Sequence, residues 1–208
     1  MQLIKKTLTY FVSIFLASTV SIAQAHPGHD ATVGFVGGLL HPLSGVDHLL
    51  MILLVGLWSV FKLKKFFLGP VFFMSGMMLG ILFGLQVGAI PWFEMGIAVS
   101  LMAIGLFIYF TKQLLSPIAL GLIAFFGLFH GFAHTDANLF YEASQWVIYK
   151  DLLGLLVSTS ALHCIGGLIA FMVRDHKLLI SRLIGSFTVM YGITLSYFLI
   201  LQGHGSLV

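Results

Sequence analysis

The sequence predicts an all-α membrane protein built as a single helix bundle. Of its 208 residues, 59% are hydrophobic and 8% are charged, whereas about 25% of the residues of a soluble domain are charged. Six apolar segments are each long enough to cross a hydrocarbon layer about 30 Å thick. Basic residues concentrate at alternate ends of those segments, so the net charge of +3 reflects membrane topology and indicates no nucleic-acid partner.

The first 25 residues have the pattern of a cleavable secretory signal peptide. Two lysines precede an apolar stretch, and Ala23 and Ala25 form a small-x-small cleavage site. The polar, helix-breaking stretch 26–30 follows at once. We therefore expect a signal peptide at 1–25 and one six-helix transmembrane domain at 26–208, with an uncleaved first helix as the alternative.

The six apolar segments are the predicted transmembrane helices. The first is too long for one straight helix and is expected to be broken near His41-Pro42, because proline removes a backbone donor, with Gly45 close behind. The segments cover residues 31–61, 66–90, 92–111, 114–134, 151–173 and 180–202.

The charged residues predict the orientation of the bundle. If the mature N-terminus is extracytoplasmic, seven basic residues lie at cytoplasmic ends and only Lys150 lies on the other side. We expect both termini outside the cytoplasm, with the chain embedded in the lipid of a bacterial cytoplasmic membrane. Segments one to three and four to six then run in opposite directions, which suggests an inverted 3+3 repeat as a hypothesis. The seven residues are Lys62, Lys64, Lys65, Lys112, Arg174, Lys177 and Arg182.

Ionisable residues inside apolar segments are the main functional signal. Each costs about 2.5 kcal/mol or more near the centre of a membrane helix and therefore marks a functional site. His41, Asp47 and His48 interrupt the first segment, whereas a packing role would account for only one histidine. His130 and His134 end the fourth segment at i, i+4 spacing, which places both on one helix face.

Five further residues are candidate metal ligands in the same outer half of the predicted bundle or in the segments that flank it. Glu94 begins the third segment, where the helix dipole is the alternative reason for a carboxylate. His26 and His29 could capture metal or could be only a polar start of the mature chain. The five are Glu94, Asp136, His163, His26 and His29.

The donor types narrow the expected ion. Imidazole with carboxylate suits Ni²⁺, Co²⁺, Zn²⁺ or Cu²⁺. The single cysteine, Cys164, allows no disulfide within the chain and argues against a dedicated soft-metal site. A secondary permease for such an ion is the leading interpretation, and a metal sensor or chaperone without transport is the alternative from another class.

Enzyme function is not expected, although one alternative stays open. The sequence has no phosphate-binding loop, no HExxH zinc motif and no GxSxG elbow. The spacing of His130 and His134 is formally one HxxxH box, whereas membrane metal-dependent oxidoreductases need several.

A row of glycines in the second segment predicts close helix packing. The four are spaced at i, i+4, and small residues in that register let a neighbouring backbone approach closely. They are Gly76, Gly80, Gly84 and Gly88.

Two motifs resemble those of the HupE/UreJ family of hydrogenase and urease accessory proteins. The stretch from His41 to His48 matches HPxxGxDH, and Phe129 to His134 is similar to FHGxAH. The stretch ending at His163 resembles a third, weaker motif, and Glu94 is similar to a family glutamate. The likeness spans essentially the whole mature chain.

The resemblance implies a nickel or cobalt permease that supplies metalloenzyme maturation machinery. It leaves the client enzyme and a homo-oligomeric state open, and the spacing of the residues alone indicates only a metal or proton site. The chain departs from the family pattern at one point, because Thr135-Asp136-Ala137 stands where the family continues with G-x-E. Asp136 is shorter than glutamate and comes one position earlier.

Overall fold

The computed structural model describes residues 34–88, 92–110, 116–135 and 144–205. Within these ranges the backbone forms helices joined by short connections, with no strand. The expected signal peptide at 1–25 lies outside the described residues, as do the candidate ligands His26, His29 and Asp136.

The described residues form seven α-helices. A π-helical turn, Ser59–Leu63, continues the second helix, and a 3-10 turn, Arg174–His176, leads into the last. The helices are α1 Phe35–Ser44, α2 Val46–Trp58, α3 Leu68–Val87, α4 Phe93–Tyr109, α5 Ser116–Phe132, α6 Gln145–Met172 and α7 Lys177–Gly205.

The first apolar segment is broken, as the sequence predicts, but the break lies at Gly45 rather than at the proline itself. Pro42 is inside α1 and cannot donate to the carbonyl of Gly38 one turn earlier. The helix ends two residues later, at Ser44. Gly45 is extended, with φ −111° and ψ 124°, and α2 begins at Val46.

The helices have the composition and surface of a membrane protein. Four helical stretches are long and apolar enough to cross a bilayer: Val46–Leu63, Leu68–Val87, Gln145–Met172 and Arg174–Gln202. The helices α4 and α5 have 17 residues each, about 26 Å at 1.5 Å per residue. Large apolar side chains such as Leu82 and Phe171 point outward over the bundle. The protein is a helical membrane protein, and six complete spans remain a prediction.

The helices pack in three main pairings. The helix α3 packs along α5, α4 packs along α7, and α6 packs along both α1 and α2. The six predicted segments correspond in order to α1 with α2, α3, α4, α5, α6 and α7. If segments one, two and three are exchanged with four, five and six, the same three pairings result, as expected for an inverted repeat. The smaller contacts of α4 with α2 and with α5 have no comparable counterpart in the described part of the chain. The repeat therefore stays a hypothesis.

The glycine row of the second segment faces α5 for most of its length. A Cβ on Gly76 or Gly80 would overlap the backbone of α5, and one on Gly84 would overlap the side chain of Thr135. Gly88 is different, because it ends α3 with φ +79° and nothing lies within 4 Å of its Cβ position. Gly76 and Gly80 therefore border α5, Gly84 borders Thr135 just beyond the end of α5, and Gly88 terminates the helix.

The two ends of the bundle differ in charge. Lys62 donates to the carbonyl oxygen of Phe110 at 2.8 Å, and Lys177 donates to that of Phe61. The end of α2, the end of α4 and the start of α7 thus meet at one basic end. At the opposite end the backbone N–H of Gly34 donates to Asp151 at 3.2 Å.

Candidate metal site

The break at Gly45 places two histidines and an aspartate at the junction of α1 and α2. His41 lies in the last turn of α1, and Asp47 and His48 lie in the first turn of α2. The imidazole rings of His41 and His48 approach edge to face, with centroids 6.3 Å apart. The break therefore keeps the two rings adjacent although the helix between them is not continuous.

The end of α5 and the turn that follows it supply two further imidazoles to this junction. The ring of His134 lies 4.4 Å from that of His41 and 5.6 Å from that of His48, measured between centroids. The ring of His130 lies 4.9 Å from that of His48. We call these four residues the histidine cluster. His41, His48 and His130 lie on α1, α2 and α5, whereas His134 lies in the turn that follows α5. The expectation that His130 and His134 share one helix face is therefore wrong, because the helix ends at Phe132, although both rings still reach the cluster.

The spacing within the histidine cluster suits a shared ion. Two imidazoles on one metal have centroids roughly 4.5–6 Å apart, because each metal–nitrogen bond is about 2 Å long. The measured separations of 4.4–6.3 Å cover that range. Among the described residues, however, no three His, Cys, Asp or Glu side chains are already arranged to hold one ion. The described side chains are therefore not fully arranged around a single ion.

A serine of α4 holds the ring of His130. The hydroxyl of Ser100 lies 2.6 Å from the carbonyl oxygen of Ile97 and 3.0 Å from Nε2 of His130. Its one hydrogen is donated to the carbonyl, because two oxygens at that distance need a hydrogen between them. Nε2 of His130 must then carry the hydrogen that the hydroxyl accepts. Nδ1 of the neutral ring is left bare, which here means that it has a lone pair and no hydrogen. Nδ1 is buried and has no hydrogen-bond partner in the described residues.

Two more histidines have the same division of roles between their nitrogens. Nδ1 of His48 lies 3.3 Å from the carboxylate of Asp47, and Nδ1 of His163 lies 2.8 Å from the carbonyl oxygen of Thr159. Both partners only accept, so in the neutral form of each ring Nδ1 carries the hydrogen and Nε2 carries none. These Nε2 atoms are also buried, and the described part of the chain offers them no hydrogen-bond partner.

Buried imidazole nitrogens without a hydrogen-bond partner in the described residues are the feature that indicates a metal site here. A buried polar atom without a partner costs about 1–3 kcal/mol, so nearly all such atoms in native proteins are satisfied. A bare imidazole nitrogen whose ring is oriented through the other nitrogen is the usual form of a metal-ligating histidine. Three such rings occur here, at His48, His130 and His163.

His163 stands apart from the histidine cluster. It is 2% exposed, near the middle of α6. The ring of Phe73 contacts it edge to face at 5.5 Å and contacts His130 in the same way at 5.2 Å. Phe73 is fully buried, so one aromatic ring touches both the cluster and His163.

Comparison with known proteins assigns the family. A family model described as HupE / UreJ protein matches residues 14–195. The chain belongs to the HupE/UreJ family. Protein HupE of Rhizobium leguminosarum bv. viciae is 32% identical over 178 residues, which cover 84% of this chain and 90% of that protein. No solved structure matches the chain. The family suggested by the two motifs is therefore confirmed.

The structure brings together part of the ligand set predicted for this HupE/UreJ protein. Of the predicted residues, His41, Asp47, His48, His130 and His134 meet at one place. Glu94 is half-buried in the first turn of α4, toward the same end of the bundle. Cys164 is a free cysteine beside His163.

Sequence reasoning missed Ser100 and Phe73. The signal for Ser100 was a hydroxyl within an apolar segment, but a helical serine commonly bonds its own backbone and gives no indication of a partner. Phe73 is one of 20 phenylalanines, and only its contacts distinguish it.

Proposed function

We propose that this protein is a secondary permease that carries a divalent transition metal ion, nickel or cobalt before zinc or copper, across the cytoplasmic membrane. The HupE/UreJ family comprises hydrogenase and urease accessory proteins associated with nickel and cobalt transport. The imported ion would serve metalloenzyme maturation. No chemical conversion of a substrate is part of the proposal.

The observation that carries the proposal is the set of buried, bare imidazole nitrogens beside a carboxylate. Imidazole is a preferred ligand of Ni²⁺, Co²⁺, Zn²⁺ and Cu²⁺. In a membrane protein, such groups mark the route of an ion or proton. The histidine cluster has centroid separations that fit a shared ion, although no three side chains of the described residues are already arranged around one point. A site that is not fully arranged around one ion suits an ion that must also leave.

The charge distribution supports inward movement. The basic end, with Lys62 and Lys177, is expected to face the cytoplasm by the positive-inside rule. The histidine cluster then lies in the extracytoplasmic half, where an ion would be captured first. His163 lies on a separate helix beyond Phe73 and is proposed as a further ligand on the path. Glu94, Asp136, His26 and His29 are proposed to assist capture near the outer surface.

Uptake by proteoliposomes that contain only this protein tests the proposal. We expect time-dependent accumulation of radioactive nickel or cobalt, and loss of that accumulation in His41→Ala and His48→Ala. His176→Ala is the matched control, since His176 is an exposed residue of the 3-10 turn at the basic end.

The outcomes separate the functional classes. Tight binding without accumulation would overturn the permease and indicate a sensor or chaperone. Oxygen-dependent turnover of a substrate would indicate an oxidoreductase instead. Equal loss of uptake in His176→Ala and His48→Ala would show that the site has been placed on the wrong side of the membrane.

A further inference from the structure

The hydroxyl of Ser100 contacts an imidazole of the histidine cluster, that of His130. It lies on α4, a helix that contributes no histidine to the cluster. The side chain is fully buried, and His130 is 1% exposed. Water therefore does not compete for either group, and the contact between them decides how the ring is held.

The hydrogen-bond pattern of Ser100 has a definite direction. Its hydroxyl donates to the carbonyl oxygen of Ile97 at 2.6 Å and accepts from Nε2 of His130 at 3.0 Å. The chain Nε2–H to Oγ to carbonyl uses every hydrogen available. It leaves Nδ1 of His130 with a lone pair and no hydrogen-bond partner in the described residues.

We propose that Ser100 is a positioning residue that holds His130 in the Nε2–H tautomer, with Nδ1 available to bind the transported ion. The inference rests on the proposed function, because it gives His130 its role in that site. It gives α4 a role at the histidine cluster itself, through a residue that does not touch the ion. Partners that orient a ligating imidazole typically change metal affinity or activity by about 10- to 100-fold when they are removed.

Substitution of Ser100 separates positioning from packing. Ser100→Ala removes the hydroxyl while keeping a small side chain, and we expect the nickel concentration for half-maximal uptake to rise by about 10- to 100-fold. Ser181→Ala is the control, because Ser181 is also buried but its hydroxyl has no hydrogen-bond partner among the described residues. Ser100→Thr retains a hydroxyl that can bond a carbonyl of the preceding turn and should restore most of the affinity. Equal effects of Ser100→Ala and Ser181→Ala would overturn the proposal.

A spectroscopic test does not depend on transport. Nitrogen-15 NMR of the metal-free, full-length protein in detergent should show His130 as the Nε2–H tautomer, assigned by the signal that His130→Gln removes. An Nδ1–H tautomer would overturn the proposal even if the variants alter uptake. If the parent protein takes up no metal, the proposed function fails, while this measurement still decides the geometry of the Ser100–His130 pair.

Discussion

The carboxylate Oδ1 of Asp47 lies 3.3 Å from Nδ1 of its neighbour His48 in the first turn of α2. The pair is partly buried, with 20% of the Asp47 side chain and 13% of the His48 side chain exposed. In the neutral form of His48, donation from Nδ1 to this carboxylate leaves Nε2, the nitrogen farther from Asp47, without a hydrogen. A negative charge beside the histidine cluster also favours a cation there.

Asp47→Asn tests the charge of this carboxylate. The amide oxygen can still accept from Nδ1 of His48, so the ring orientation can persist while the charge is lost. We expect nickel or cobalt uptake to fall by at least about 10-fold at matched expression, by analogy with other partners of metal-binding histidines. The measurement is cellular accumulation of the radioactive ion. Unchanged accumulation would exclude a requirement for the negative charge.

Gly45→Ala tests the position of the same carboxylate without removing it. The backbone angles of Gly45, φ −111° and ψ 124°, are allowed for any residue. A Cβ at this position would, however, lie 2.6 Å from Oδ1 of Asp47. The flexible carboxylate would rotate away from His48, so we expect uptake to fall by about 10-fold while the protein still inserts. Gly121→Ala is the control, since nothing lies within 4 Å of that Cβ position. Equal uptake by the two variants would contradict the prediction.

His163→Ala tests the proposed further ligand, whose ring contacts Phe73. Because His163 contacts Phe73 and lies on a different helix from the cluster residues, we expect equilibrium nickel binding in detergent to change less than about 3-fold. We expect uptake by proteoliposomes to fall by about 10-fold, as for loss of one ligand on a multi-site path. Loss of binding equal to that of His48→Ala would place His163 in the first site instead.

Gly76→Ala tests the packing of α3 on α5. A Cβ at this position would overlap the backbone carbonyl of Ala124, which a rotamer change cannot relieve. Overpacking of this kind costs about 1–3 kcal/mol, and the gain in helix propensity from glycine to alanine is only about 1 kcal/mol. Thermal unfolding in detergent should therefore occur at a lower temperature than in Gly121→Ala. An unfolding temperature equal to that of the control would contradict the packing of these helices.

Labelling of single cysteines tests the orientation in the membrane. In a Cys164→Ser background, Lys64→Cys lies at the basic end and Lys150→Cys lies near the start of α6. With a thiol reagent that does not cross the membrane, intact cells should label position 150 and not position 64. The reverse pattern would invert the predicted topology and place the histidine cluster on the cytoplasmic side.

The helical class and the approximate helix positions could be predicted from the sequence because a lipid bilayer permits few backbone structures. Apolar segments in a bilayer must satisfy their backbone hydrogen bonds internally, so length and hydropathy alone indicate helices. A break near Pro42 was expected because proline lacks a backbone N–H, and the structure has it three residues later, at Gly45. The observed helix bounds differ modestly from the predicted ones. For example, α6 begins at Gln145, whereas the predicted segment began at residue 151. Helix ends depend on local capping and neighbouring contacts, which an apolar profile does not record.

The sequence by itself determined the class of the protein, the location of the basic end and the identity of the ionisable residues inside the apolar segments. Those properties are local, because burying a charge in lipid is costly wherever it occurs. Tertiary structure alone decided which of those residues meet. His41 and His134 are far apart in sequence, yet their rings lie 4.4 Å apart through the packing of separate helices. The bare nitrogens of His48 and His130 likewise depend on partners at exact positions in space, Asp47 and Ser100, and the Ser100–His130 hydrogen bond joins residues 30 positions apart.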